Sequence, residues 1–521
     1  MFPTTSGGSS HTMVLPNEEA MHRLVQDIAI AVEPGDLITL SGDLGAGKTT
    51  FARALIRRLA GEPSIEVPSP TFTIMQTYEL SRFPVVHADL YRVSGVDELA
   101  ELGFEDLPAG ALTLLEWPDR AAGFLPADRL DIALILAPEL GLEHRHVRIT
   151  GHGAFAARAE RIAAIRSFLD QSGHGDAQRE RLAGDASARS YERLTIGGRR
   201  MILMNSPRRP DGPPVRDGLP YSAIARLAED VKPFVAIANG LRRHGFSAPE
   251  IYASDLDQGL LILEDLGDQG VVEGDPPAPI EQCYQTGVDV LVALHRLALA
   301  DTPPVAPEII HTIPPYDLDA LMIEVELLID WYMPYRGATV TAAARDKFLA
   351  LWRAALAPII EAPKTWILRD FHSPNLLWLP DRDGIARLGI LDFQDTVMGP
   401  AAYDLASLLQ DARVDVTDEM EIELLGRYAR ARRANDPNFD LAGFLTLYAT
   451  LAAQRASKIL GIFARLDRRD GKPQYLRHLP RVWNYLQRSL ALPQLAGLDV
   501  WYRMHVPPPA ELLKNSPRGG N

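Results

Sequence analysis

Eight residues near the front of the chain, Gly42-Asp43-Leu44-Gly45-Ala46-Gly47-Lys48-Thr49, constrain the fold more than any other stretch. The glycines let successive backbone N–H groups turn inward around an anion, Lys48 supplies a point charge, and Thr49 offers a hydroxyl to Mg2+. Such a loop needs a strand before it and a helix after it. Residues 37–40 are a short β-rich run, and Phe51, Ala52, Leu55, Ile56 and Leu59 recur at helical spacing. The front of the chain is therefore predicted to be an α/β nucleotide-binding unit, with residues 42–49 and the following Thr50 around the phosphates.

The rest of that unit agrees. Asn17 offers an N-cap to an apolar set at 3.6 spacing, Met21, Leu24, Val25, Ile28 and Val32, which ends at Pro34-Gly35. Strand-like runs at 85–88, 111–115 and 130–136 complete a mostly three-layer unit. Asp89 and Glu116 each follow such a run, at the carboxyl edge where open α/β sheets bind ligands. There Asp89 is suited to hold Mg2+ through water, and Glu116 to orient or deprotonate an attacking water.

Composition narrows the partners. The chain has 521 residues, 53 basic and 68 acidic, for a net charge of -15; residues 1–160 hold 12 basic and 22 acidic side chains, or -10 of it. A sequence-independent nucleic-acid binder needs the opposite sign, so no direct nucleic-acid binding is predicted for the front unit alone. The single cysteine, Cys283, excludes an internal disulfide and a cysteine metal site, and reads as a small buried residue. With no run of roughly 18 apolar residues and no basic-then-apolar start, the expectation is a cytoplasmic chain without membrane contact.

A second chemical pattern lies far downstream. Asp370-Phe371-His372-Ser373-Pro374-Asn375 places an Asp and an Asn five residues apart, and Asp392-Phe393-Gln394-Asp395 follows the β-like run 388–391. This is the order of a kinase catalytic loop and metal loop. Asp370 would accept the proton of an acceptor hydroxyl, and Asn375 and Asp392 would hold Mg2+ against ATP. Gly184-Asp185-Ala186-Ser187 is a candidate loop over the phosphates, with Ser187 facing them. Residues 260–267 read as a strand running through Glu264 into a hinge whose backbone pairs with adenine. Asp404, after Gly399-Pro400, is expected to brace the metal loop.

These residues resemble two families. Val67-Pro68-Ser69-Pro70-Thr71-Phe72, His87-Ala88-Asp89-Leu90-Tyr91-Arg92, Leu102-Gly103 and Glu116-Trp117-Pro118, in that order after the glycine loop, are similar to the bacterial TsaE ATPases of tRNA threonylcarbamoyladenosine modification. That resemblance implies a γ-phosphate-sensing segment around Thr71, Mg2+ at Thr49 and Asp89, hydrolysis supported by Glu116, and action with TsaB- and TsaD-type subunits. Ala183-Gly184-Asp185-Ala186-Ser187, Glu264-Asp265-Leu266-Gly267-Asp268, Arg369 to Leu376, Gln454-Arg455 and Gly461 to Leu466 resemble the AmgK amino-sugar kinases of the aminoglycoside-phosphotransferase superfamily. These phosphorylate the anomeric hydroxyl of N-acetylmuramic acid and N-acetylglucosamine. Leu368 stands where many relatives have His, and Met204 lies near the position of the phosphate-pairing lysine, for which Arg199 or Arg200 are the candidate substitutes.

The expected layout is a tail over 1–12, an α/β P-loop NTPase domain over 13–150, and a linker with an entry helix over 151–175. An α+β, bilobal, protein-kinase-like domain over 176–505 and a frayed tail over 506–521 follow. Residues 206–233, with six prolines, read as an exposed insertion loop, a lid being the alternative. Two further alternatives stay open: a different small hydroxyl acceptor or an inactive kinase behind, and a nucleotide-dependent assembly factor in front.

Overall fold

The computed structural model describes residues 9–93, 98, 108, 110–121, 123–182, 189–208 and 212–510. The candidate phosphate loop with Ser187, and the Leu102-Gly103 motif, lie outside the described residues. The chain divides into two compact units, residues 1–204 and 205–521.

The first unit is built as β1 (Ser9–Leu15), α1 (Glu18–Ala31), β2 (Leu37–Ser41), α2 (Lys48–Ala60), β3 (Met75–Tyr78), β4 (Val85–Asp89), β5 (Leu112–Glu116), β6 (Arg129–Leu136), β7 (Arg145–His152) and α3 (Phe155–Gln171). Its seven-stranded sheet runs β1-β7-β6-β2-β5-β4-β3. The centre, β6-β2-β5-β4, is parallel, and the flanks are antiparallel. Parallel central strands are buried on both faces, so they read as near-continuous apolar runs, as residues 85–88 and 112–115 do with only His87 and Thr113 intervening. Asn17 caps α1, accepting from the Ala20 N–H at 2.9 Å. The described helices share one face of the sheet and one core, with Ile28, Phe51, Leu55, Leu114, Ile132 and Phe155 among its members. A second, smaller core cluster, with Leu37, Ala88, Leu90 and Leu115, takes in Ala121 of the short 3-10 helix Pro118–Ala121.

Two expectations about boundaries are revised. The tail expected over 1–12 turns into β1 at Ser9, paired antiparallel to β7; the pairing uses backbone groups, which its polar side chains do not disclose. The helix expected as part of a linker, α3, is docked: Phe155 and Ala159 enter the core, and Arg158 forks onto Asp36 at 2.8 and 2.6 Å.

Beyond α3, the strands β8 (Gln178–Leu182), β9 (Ser190–Ile196) and β10 (Arg199–Asn205) begin a second sheet. β8 is fastened to the helices of the first sheet by a buried ion cluster. Asp27 of α1 receives Arg166 at 2.8 and 2.6 Å and also Arg179 of β8, while Arg179 forks onto Glu192 of β9 at 2.7 and 2.9 Å. Arg58, at the end of the helix that starts at the glycine loop, donates to the Arg179 carbonyl.

The second unit contains α4 (Lys232–Arg243), β11 (Ile251–Asp255), β12 (Leu260–Glu264), α5 (Glu281–Leu294), α6 (Leu318–Leu327), α7 (Ala342–Glu361), β13 (Thr365–Ile367), β14 (Leu376–Trp378), β15 (Leu388–Ile390) and β16 (Val397–Gly399), then α8 (Ala402–Leu409), α9 (Asp418–Asn435), α10 (Leu441–Asp470), α11 (Leu479–Leu490) and α12 (Ala496–His505). The long α10 packs against α6, α8 and α11. Two short antiparallel pairs, β13 with β16 and β14 with β15, hold the loops that carry Asp370 and Asp392. The expected exposed loop holds for residues 212–219, where Val215 and Leu219 are exposed, but not beyond: Ile224, Ala225 and Val231 are buried, and the carbonyls of Ala225 and Arg226 accept from Arg369. The expected C-terminal tail is docked as far as Pro508, whose carbonyl accepts from Arg336 at 3.0 Å. No described helix is long and apolar enough to cross a membrane.

Candidate active sites

In the first unit, the parallel register sets Asp89 opposite Glu116 and Glu116 opposite Leu40, so the glycine loop and both carboxylates meet at one sheet edge. Gly42 could be nothing else: its φ is 138°, and a Cβ there would sit 2.1 Å from the Leu134 carbonyl oxygen. Leu44, Gly45, Gly47, Lys48, Thr49 and Thr50 line a cavity of about 250 Å³ with Thr71, Asp89 and Glu116. Gly42 and Asp43 reach it through their carbonyls, which accept from Lys48 Nζ at 2.7 and 3.0 Å. Ala46 is buried, and its carbonyl accepts from Arg145 Nε at 2.9 Å.

Lys48 is 5% exposed and lies 3.8 Å from the Trp117 ring centroid. Burial lowers its pKa, against the opposing pull of Glu116, Asp89 and Asp43. Thr49 donates to Glu116 Oε2 at 3.0 Å, and His87 Nε2 lies 2.9 Å from the other oxygen. Thr71 and Ser69 donate to Asp89 Oδ2 at 3.1 and 3.3 Å. The carboxylates therefore have separate partners: Glu116 beside the loop hydroxyl, Asp89 beside the 69–71 segment. Sequence reasoning gave no role to His87, Trp117 or Arg145. The first two stand within quoted motifs; Arg145 has no local signal, being brought in by β7.

In the second unit, the catalytic loop is held from behind. Asp404 of α8 accepts from the backbone N–H groups of Leu368 and Arg369 at 2.7 and 2.9 Å, so it braces the catalytic loop and not the metal loop. Burial pushes its pKa up to about 7 in spite of those two bonds. Asp411 accepts from Ser373 N–H at 2.9 Å, and burial is outweighed there by His372, Ser373 and Arg413, which keep it below the usual carboxylate range. Asn375 Nδ2 donates to the Asp370 carbonyl at 2.9 Å, and Leu391 N–H to the Asn375 carbonyl at 2.8 Å, bringing the two loops together. Gln394 donates to Asp392 Oδ1 at 2.9 Å. Arg369 and Asp392 have φ of 64° and 56°, local strain of the kind concentrated at functional sites. Burial raises the Asp370 pKa, but His372, Lys458, Arg369 and Arg455 more than reverse it, so the carboxylate is kept ionised.

Glu264, a candidate from the sequence, has another occupation. The Glu264 carboxylate takes Arg382 at 2.5 Å and Arg242 at 3.3 Å, and its backbone N–H donates to the Glu250 carbonyl at 2.8 Å. Arg199 and Arg200 open β10, whereas Met204 lies near its far end, roughly 13 Å from Arg200 at about 3.3 Å per residue.

Comparison with known proteins matches this layout. The family profile "Threonylcarbamoyl adenosine biosynthesis protein TsaE" covers residues 15–143, and "Phosphotransferase enzyme family" covers 178–443. An N-acetylmuramate/N-acetylglucosamine kinase of Caulobacter vibrioides is 43% identical over 368 residues, 67% of this chain and 98% of the relative. A tRNA threonylcarbamoyladenosine biosynthesis protein TsaE of Rickettsia felis is 39% identical over 127 residues, 24% of this chain and 74% of the relative. The chain belongs to both families. It is an enzyme with a TsaE module in front and a phosphotransferase module behind. A crystal structure of Bacillus subtilus YdiB is 30% identical, covering 32% of this chain and 99% of that one, with a TM-score of 0.25. The phosphotransferase match begins at 178, so β8, fastened to the helices of the TsaE module, belongs to the phosphotransferase segment.

Proposed function

We propose that the TsaE module is an ATPase that supports tRNA N6-threonylcarbamoyladenosine modification with TsaB- and TsaD-type subunits. The phosphotransferase module transfers the γ-phosphoryl group of ATP to the anomeric hydroxyl of N-acetylmuramate or N-acetylglucosamine. Both modules would act in the cytoplasm. Thr49 and Asp89 in front, and Asn375 and Asp392 behind, would hold Mg2+, which neutralises charge on the phosphates when bound. Asp370, ionised and half-buried, accepts the proton of the attacking hydroxyl. The observation that carries the reading is the closure of the catalytic loop on the metal loop through Asn375.

The test is phosphate transfer by the purified chain to each sugar, with Asp370→Ala and Lys48→Ala in parallel. Wild type and Lys48→Ala are expected to make anomeric sugar phosphate, and Asp370→Ala is not. Product from Asp370→Ala would refute its role as base. Loss of product in Lys48→Ala would refute independent modules.

A further inference from the structure

The charged groups buried behind Asp370 are largely paired with one another. Glu324 of α6 takes Arg369, Lys458 at 2.8 Å and Gln454 at 2.9 Å, and Gln454 also donates to the Leu321 carbonyl at 3.3 Å. Arg455 stands between Gln454 and Lys458 in the sequence of α10 and is 7% exposed, yet its guanidinium has no hydrogen bond or ion pair with any described residue. A guanidinium cannot shed its charge, and the Arg455 nitrogens, unpartnered but not sealed from solvent, are open to an anionic ligand.

The location narrows that use. Arg369, the next residue to Asp370, is joined through Glu324 to Gln454 and Lys458, which flank Arg455 on the same helix. The field of Arg455 is felt at Asp370, His372 and Asp404. About three turns further along the same face Arg465 adds positive charge, in a chain whose net charge is -15. Such a face opposes a polycationic aminoglycoside and suits an acceptor carrying an anion. A guanidinium fork matches a carboxylate with two parallel hydrogen bonds.

We propose that Arg455 binds a carboxylate on the acceptor, making the preferred substrate class a sugar acid. The inference rests on the kinase reading above. N-acetylmuramate carries such a carboxylate on its lactyl ether, and N-acetylglucosamine lacks it.

The experiment compares kcat/KM for the two sugars in the full-length chain, wild type against Arg455→Gln and Arg455→Lys. The ratio of N-acetylmuramate to N-acetylglucosamine is expected to fall at least tenfold in Arg455→Gln, through KM for N-acetylmuramate, and to recover partly in Arg455→Lys. Because both sugars are read on one preparation, a misfolded fraction cancels from the ratio. An unchanged ratio, whether activity is kept or lost equally on both sugars, overturns the carboxylate subsite and leaves the kinase reading standing. No transfer by wild type to either sugar overturns the kinase reading and the subsite with it.

Discussion

Each unit of the chain buries an ion cluster, and the two clusters are completed differently. In the front unit Asp27 and Glu192 face Arg166 and Arg179, two carboxylates for two guanidiniums, and no residue of the cluster touches the glycine loop site. In the back unit Glu324 alone answers Arg369 and Lys458, and Arg455, unpaired among the described residues, lies on the same helix as Lys458. A balanced cluster gives the chain a specific joint between β8 and the helices of the first sheet. A cluster with surplus charge near Asp370 gains meaning with an anionic ligand in place.

The largest expected effect separates chemistry from architecture. Asp370→Asn should lower kcat for phosphoryl transfer by about 10²- to 10⁴-fold, the usual worth of a general base, with ATP hydrolysis at the TsaE module unchanged. A loss under tenfold in a steady-state assay would deny Asp370 that role.

Next come the clusters themselves. Asp27→Ala and Glu324→Ala each strand buried guanidinium or ammonium groups and should cost about 3–5 kcal/mol in urea unfolding. They should differ in kinetics, because Glu324 positions Arg369 and the catalytic loop, whereas Asp27 does not. Equal changes in kcat for sugar phosphorylation would erase that contrast.

Asp404 sharpens it through pH. Its folded pKa is raised to about 7, so the native state keeps the proton longer than the unfolded chain does. The associated stability is full below about pH 4 and is lost as pH rises towards 7. Unfolding free energies of wild type, measured against Asp404→Asn across that window, should decline relative to the variant by a few kcal/mol. A flat difference would show that the Asp404 carboxyl does not titrate there.

The smallest effects test whether the units melt separately. Asn17 caps α1 and Thr417 caps α9, accepting from Met420 N–H at 3.2 Å; alanine at either should cost about 1 kcal/mol. Calorimetry should show Asn17→Ala moving only the front unit's transition and Thr417→Ala only the back unit's. A shift of both by one substitution would mean cooperative unfolding.

Much of the fold was legible because its signals are local. The glycine loop between a strand and a helix, the apolar runs of β2, β4, β5 and β6, and the capped period of α1 lie within short windows of sequence. Likewise, the five-residue spacing from Asp370 to Asn375 is a property of one loop. β1, β3, β7 and β8 were not legible as strands. β1 and β3 are edge strands of the first sheet, and β7 and β8 mix charged residues with apolar ones, so backbone pairing with neighbours far along the chain defines them more than an apolar pattern does. Glu264 was legible as a strand end but not as the partner of Arg382, 118 residues away.

By itself, then, the sequence determined that there are two modules and on which loops their candidate side chains sit. Loop glycines, catalytic spacings and helix caps act through neighbours on the chain. Only the tertiary structure decided that β8 is bolted to α1 and α2, that Asp404 braces the catalytic loop, and that Arg455 has no partner among the described residues. Those outcomes depend on which charges are brought together and sealed from water. Asp27 and Arg179, for example, are 152 residues apart, and a pairing at that range is settled by packing geometry rather than by any local pattern.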